Sequence, residues 1–375
     1  MKKILFVIEN FRIGGIQKSF LNLLNSIADK YDIDVAAFDP NGEYKDSIPK
    51  TIRIVKMPNH YQTFAKPRSA LKTPIQCFYK ILFFILCKLI NKGKALYIVS
   101  PMYRIHKQYD VVISFSHSGF YKGVNGICPE FVISKTKANV KICFIHCDYE
   151  HSGLKSQYNN ALYARFDKIA CCSDSVKRIF LQSNPALEER TFTVRNFFDL
   201  SLLRTIKEEL FLPSEKINVF SVARLSKEKG LVRAIEALHC CGRKDINYYI
   251  IGDGSEKSEI DRKVLDYNLN EQVFLWGAIS NPYPKLLNAD YLLVPSYNEA
   301  APMVFDEARV LGIRVIATET TSAREMLESN DIICENSMEG LCKAFSIIDK
   351  PVASLLRKSI SDNSVQLDQF NRLIN

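Results

Sequence analysis

Along most of this 375-residue chain, short runs of β-branched and aliphatic residues alternate with amphipathic stretches of helix length. That alternation directs the chain into parallel α/β layers, because each strand must reach its parallel neighbour through a crossover helix. The first run, residues 4–8, leads into Gly14-Gly15 and then into a helix whose apolar positions Ile16, Phe20, Leu23, Leu24 and Ile27 recur at helical spacing. Further strands are expected at 32–37, 52–56, 111–115, 140–145 and 168–171. A second series follows at 217–222, 248–251, 273–276, 291–294, 315–317 and 332–334. Two series imply two doubly wound, Rossmann-like domains facing each other across a cleft, which agrees with a length of roughly 150 residues per domain. The expected boundaries are 1–199 for the first domain and 200–351 for the second, with a helix in 352–375 packed back on the first. In such a fold ligands gather at the carboxyl ends of the strands, so the residues after each strand end carry the functional question.

Charge divides the chain along the same line. Its 50 basic and 41 acidic residues give a net +9, but residues 1–200 hold 29 and 16, leaving 21 and 25 for the rest. No acid lies between Asp46 and Asp110, a stretch with twelve basic residues from Lys50 to Lys107. The eleven cysteines contain no C-x-x-C spacing, so no metal site is expected, and scattered thiols in apolar runs suit a reducing cytosol. The N-terminal run reaches Glu9, Asn10 and Arg12 too early for a cleaved leader and reads as a first strand.

Several strand ends carry chemistry. Glycines at 14 and 15 let backbone N–H groups at a helix start approach an anion, although a plain turn would use them too. After the strand ending at Val222 come Arg224 and Lys229, a bidentate guanidinium and a point charge suited to a diphosphate, or else a solvated basic loop. After Val294 come Glu299, Pro302 and Glu307. With Pro302 in the first helical turn, Glu299 sits in the loop and Glu307 about one and a half turns inside the helix, as a cleft-wall carboxylate or a solvated one. The N–H groups near Met303 and Val304 would then offer another anion site. His146 ends a strand and precedes Asp148, which either orients it or caps a helix, and His117 follows an adjacent strand end. Gly252-Asp253-Gly254 marks a further turn.

Taken in order, the glycine loop (Gly14, Gly15), the R-x4-K pair (Arg224, Lys229) and E-x7-E (Glu299, Glu307) resemble the retaining glycosyltransferases of family 4, over nearly the whole chain. The resemblance implies a GT-B fold and a nucleotide-sugar donor, most simply a UDP-hexose, with no cofactor and no metal. It implies that Glu307 accepts hydrogen bonds from the ribose, that Glu299 meets the transferred sugar, that Arg224 and Lys229 hold the diphosphate, and that His146 lies near the acceptor side. Catalytic roles would then fall to Glu299, His146, Arg224 and Lys229. Donor binding would fall to Gly14, Gly15, Met303 and Val304 with the two glutamates and the two cations. Ala300-Ala301 departs from the glycine and aromatic residue that many members place there, which alters the wall of the sugar pocket.

The apolar stretch 74–90 is interrupted by Lys80 and Lys88, and its lysine-free run 81–87 is far below the roughly 20 residues that cross a bilayer. With Lys66, Arg68, Lys72, Lys92 and Lys94 around it, it reads as an interfacial helix on an anionic inner leaflet, or as a buried helix with a basic face. The expectation is a cytoplasmic, peripheral membrane enzyme of bacterial surface polysaccharide synthesis (capsule or lipopolysaccharide). It would move a hexosyl unit from the nucleotide sugar to a lipid-linked saccharide. A sugar-nucleotide epimerase or phosphorylase on the same scaffold is the alternative. A nucleic-acid binder using the acid-free stretch is a remote one, since it leaves Glu299 and Glu307 unexplained.

Overall fold

The computed structural model describes residues 1–66, 70–120, 123, 126–198, 215–350 and 362–375. The chain divides into two compact units, Met1–Phe198 with Asn363–Asn375, and Asp199–Asp362. The boundaries expected at 199/200 and 351/352, and Arg68, lie outside the described residues.

In unit 1 the strands β1 (Lys3–Asn10), β2 (Asp32–Asp39), β3 (Arg53–Ile54), β4 (Gln108–Ser114), β5 (Lys137–Ile145), β6 (Lys168–Cys171) and β7 (Thr191–Thr193) form a sheet in the order β3-β2-β1-β4-β5-β6-β7. All its pairings are parallel. Helices cover such a sheet on both faces, which is why Ile4 to Ile8 form an unbroken apolar run with no exposure. The six strands expected for this unit are present. β7 is additional, and its Thr-Phe-Thr sequence is too short to stand out as a pattern.

The helix Ser364–Ile374 belongs to unit 1 although unit 2 precedes it in the chain. Phe370, Leu373 and Ile374 enter the core beside β1, and the Phe370 ring lies parallel to that of Phe6 at 6.3 Å. Polar contacts fix its far end: Lys168 Nζ donates to the Leu373 carbonyl at 2.7 Å, Lys2 Nζ to the Ile374 carbonyl at 2.9 Å, and Tyr31 hydroxyl meets Asn371 Oδ1 at 2.9 Å.

Unit 2 repeats the plan. Its strands β8 (Ile217–Val222), β9 (Ile246–Ile251), β10 (Val273–Gly277), β11 (Tyr291–Val294), β12 (Arg314–Thr318) and β13 (Ile332–Cys334) lie in the order β10-β9-β8-β11-β12-β13, again parallel throughout. The strand order reverses between β8 and β11, the position at which doubly wound sheets bind ligands at the carboxyl ends of their strands. The loops leaving these two strands are the ones that carry Arg224 with Lys229 and Glu299.

Phe370→Ala is expected to destabilise unit 1 by about 3–5 kcal/mol, since it empties a fully buried ring site. Trp276, the one tryptophan of the sequence, lies in unit 2 and serves as a control. Hydrogen exchange should accelerate across β1 and β2 while the urea midpoint read by Trp276 fluorescence stays put. Unchanged exchange in β1 would contradict this role for the C-terminal helix.

Candidate active site

The loop after β8 is held from behind by the turn after β9. Ala223 N–H donates to the Ile251 carbonyl at 3.1 Å, Leu225 N–H to the Asp253 carbonyl at 2.9 Å, and Glu256 N–H to the Leu225 carbonyl at 2.9 Å. A Cβ on Gly252 would stand 1.8 Å from the Ala223 carbonyl oxygen, so the turn read from Gly252-Asp253-Gly254 braces the segment that presents Arg224. The Arg224 side chain is 72% exposed and, among the described residues, pairs with Glu228 alone, at 3.6 Å. An exposed pair of that length is worth little and leaves the guanidinium available to an anion.

Lys229 ends the turn Lys227–Lys229 and is followed by Gly230 in the left-handed region, φ 64°. A Cβ there would lie 2.1 Å from the Pro295 carbonyl oxygen, so only glycine lets the loops after β8 and β11 approach this closely. Tyr297 N–H donates to the Glu228 carbonyl at 2.9 Å across the same junction. Lys229 Nζ consequently reaches Glu299 Oε1 at 2.6 Å, and Ser296 Oγ donates to the same oxygen at 2.6 Å. From β12 and the helix after it, Thr318 hydroxyl donates to the Ser296 carbonyl at 2.6 Å and Ser322 hydroxyl to the Glu299 carbonyl at 2.9 Å.

Arg233 ties the loops from beneath. Its Nη2 donates to the Pro295 carbonyl and to Asn336 Oδ1, each at 2.7 Å, and its guanidinium stacks 3.7 Å from the centre of the Tyr297 ring. Sequence reasoning missed Arg233, Ser296, Thr318, Ser322 and Asn336. The signal for Arg233 was a cation between apolar neighbours at the start of a helix, where one buried charge needs a built partner.

One expectation is corrected here and one pair of alternatives is narrowed. Pro302 is not in the first helical turn: it is extended (φ −70°, ψ 120°) and caps the helix Met303–Leu311. The first-turn N–H groups are therefore those of Met303 and Val304. Of the two positions open to Glu307, the solvated one is excluded, since the residue is only 5% exposed.

In unit 1, Gly14 and Gly15 open the helix Gly15–Ile27. Gly14 has extended backbone (φ 175°) and a Cβ there would meet only the flexible Gln17 side chain, at 2.5 Å, while a Cβ on Gly15 would meet nothing within 4 Å, so neither glycine is required by an unusual torsion. His146 follows β5, with its ring 5.6 Å from that of Phe144 and 4.9 Å from that of Phe115. Its buried Nε2 makes no hydrogen bond, and its backbone N–H donates to His117 Nδ1 at 3.4 Å. Burial, then the neighbouring His117, push the His146 imidazole down to about 3, and burial takes His117 down to about 4. Both rings are neutral near pH 7. Asp148 does not orient His146: it accepts from the N–H groups of Glu150 and His151 and contacts His151 Nδ1 at 2.9 Å. Among the described residues, no group of three or more His, Cys, Asp or Glu side chains is arranged to hold a metal ion.

The basic segment also differs from expectation. Lys92 is fully buried, near Glu130 and Glu9, and donates to the Gly126 carbonyl at 3.3 Å. Lys80 turns inward onto the carbonyls of Thr63 and Lys66, and Lys66 lies 3.9 Å from Asp39. Lys72, Lys88 and Lys94 remain exposed. The helix Pro74–Leu89 buries Phe83 and Cys87 but leaves Ile75, Phe78 and Leu89 exposed by 69%, 62% and 75%. Its outward face is apolar, not basic.

Residues 204–352 match the family Glycosyl transferases group 1. An uncharacterised glycosyltransferase of Methanocaldococcus jannaschii, MJ1059, is 28% identical over 44% of this chain, and the match spans 43% of its own length. The O-antigen biosynthesis glycosyltransferase WclY of Escherichia coli is 22% identical over 87% of this chain and 82% of its own. The crystal structure of Anabaena Alr3699/HepE in complex with UDP and glucose superposes with a TM-score of 0.64 at 19% identity, covering 92% of this chain and 89% of that one. The fold is thus that of the GT-B glycosyltransferases.

Arg233→Met, which keeps the stem but strands the Pro295 carbonyl, should cost unit 2 about 1–3 kcal/mol. Urea titration read by Trp276 fluorescence checks it, and an unmoved midpoint would show that Arg233 does not hold these loops together.

Proposed function

We propose that this chain, a relative of the GT-B glycosyltransferases, transfers a hexosyl unit from a UDP-linked donor to a lipid-linked saccharide, retaining the anomeric configuration, in bacterial surface polysaccharide synthesis. Unit 2 is the donor side and unit 1 the acceptor side. One observation carries the reading: the 2.6 Å contact between Lys229 and Glu299, at the reversal of strand order in unit 2. A cation assigned to the diphosphate and a carboxylate assigned to the sugar stand one hydrogen bond apart, so one bound nucleotide sugar could engage both.

The chemistry follows from charge. As the bond from the anomeric carbon to the β-phosphate oxygen breaks, negative charge grows on the leaving diphosphate. Arg224, Lys229 and the N–H groups of Met303 and Val304 stabilise it without a metal ion. The arriving diphosphate draws Lys229 away from Glu299, which then accepts hydrogen bonds from the sugar hydroxyls. Glu307 accepts from the ribose. The acceptor hydroxyl attacks the oxocarbenium-like carbon from the leaving-group face and passes its proton to the departing phosphate oxygen. His146, neutral and with its Nε2 unbonded, offers a polar contact on the acceptor side. Gly14 and Gly15 leave room for the donor at a helix start.

Glu307→Gln should weaken UDP binding about tenfold while Glu299→Gln leaves it intact or tighter, because Lys229 loses its competitor. Glu299→Gln, Arg224→Ala and Lys229→Ala should each lower turnover by about 10²–10³. Calorimetry with UDP and product release from UDP-hexoses separate the two glutamates. Unchanged UDP affinity in Glu307→Gln, or turnover within twofold of wild type in both cation variants, would overturn the assignment.

Among the described residues no helix is long and apolar enough to cross a membrane. The exposed face of Pro74–Leu89, flanked by Lys72 and Lys88, supports peripheral binding to an anionic inner leaflet, since apolar residues enter the interface while ammonium groups meet lipid headgroups. Each such lysine adds about 1 kcal/mol, so Lys72→Gln with Lys88→Gln should weaken binding to anionic liposomes about thirtyfold. Phe78→Ser should reduce it on neutral and anionic liposomes alike. Sedimentation indifferent to all three changes would rule the surface out.

A further inference from the structure

Unit 1 contains a groove of about 710 Å³ between the helices Lys92–Val99, Cys128–Lys135 and Gln157–Tyr163, lined by none of the residues assigned to the donor site. Its size falls within the roughly 300–1,000 Å³ of small-molecule sites. Ile90, Tyr97, Ile98 and Leu162 give it an apolar lining, and Lys94 and Arg165 are its exposed cations. Neither cation is ion-paired with a described residue. The interior is built: Tyr158 hydroxyl accepts from Gly93 N–H at 3.0 Å and meets Glu130 Oε1 at 3.2 Å, and Ser118 hydroxyl donates to the same oxygen at 2.9 Å. Glu130 is buried beside Lys92, so the exposed charges of the groove are those of Lys94 and Arg165.

We infer that this groove, resting on the reading of a lipid-linked acceptor, seats the acceptor's lipid carrier, with an isoprenoid-like chain along the apolar lining and its diphosphate on Lys94 and Arg165. Charge complementarity carries the choice of occupant. An uncharged lipid would leave two unpaired cations beside an apolar wall, and free diphosphate would leave the wall empty. Ile90 directly follows the exposed apolar helix Pro74–Leu89, so a chain leaving a bilayer would meet one continuous apolar surface. The groove would thus select the carrier, while unit 2 selects the donor.

The test uses the intact chain with UDP present in saturating amount, so that the donor site is filled, and farnesyl diphosphate, farnesol and inorganic diphosphate as calorimetric probes. Farnesyl diphosphate should bind at least about tenfold more tightly than either of the other two. Ala161→Trp, at an exposed position lining the groove, should weaken it about tenfold or more. Lys94→Gln with Arg165→Gln should bring farnesyl diphosphate and farnesol within about twofold of each other. Should Ala161→Trp fold poorly, Ile98→Glu offers the same block from another exposed position. UDP affinity and slow UDP-hexose hydrolysis, measured on the same variants, read the donor site separately, so loss of those alone would indict the donor assignment and leave the groove standing. Farnesol binding as tightly as the diphosphate in wild type, or blocked variants binding within twofold of wild type, would overturn the inference.

Discussion

The close approach of Gly230 to the Pro295 carbonyl is the contact on which the proposed chemistry depends. At that point the loops leaving two neighbouring parallel strands touch backbone to backbone, and a single Cβ would force them apart. Arg233 locks the approach from below by binding that same carbonyl and stacking on Tyr297. With the loops held, Lys229 and Glu299 lie one hydrogen bond apart without either element giving up its own geometry. The strand order provides the position, the glycine sets the distance, and the arginine keeps it from drifting.

Unit 1 answers a different demand. Its sheet is sealed by a helix from the far end of the chain, so its core is complete only when both termini are in place. Its outer helices, by contrast, leave aromatic and aliphatic side chains such as Ile75, Phe78 and Leu89 in solvent, the basis of the proposed membrane contact. Three of the lysines nearest that face turn inward, satisfying carbonyls and carboxylates, while Lys72, Lys88 and Lys94 stay outside. The arrangement suits an interface in which apolar residues do most of the binding and a few charges set the preference for anionic lipid.

Much of this was legible in the sequence because period and spacing survive without coordinates. Two series of short apolar runs implied two parallel sheets, and the motifs were expected at strand ends because turn residues follow each run. Side-chain direction was not legible. Lys80 and Lys92 resemble Lys88 and Lys94 in the sequence, yet Lys92 meets the buried carboxylate of Glu130, far along the chain, and Lys80 finds loop carbonyls. Glu307 stayed open between a cleft-wall and a solvated position because one glutamate on a short helix carries no period of its own. Arg233, Asn336 and Ser322 act through partners brought near only by the strand order, and β7 was too short to register. Asp148 illustrates the same limit, since an Asx turn onto the next residues outcompeted the histidine two positions before it.

Hydrogen exchange of the intact chain with and without UDP, in the presence of a chelator, tests the central claim most directly. The account predicts that amides in 223–230 and in 295–307 gain protection when UDP binds, and that the chelator makes no difference. Binding of UDP with no added protection in either segment, or protection that vanishes when the chelator is added, would contradict it.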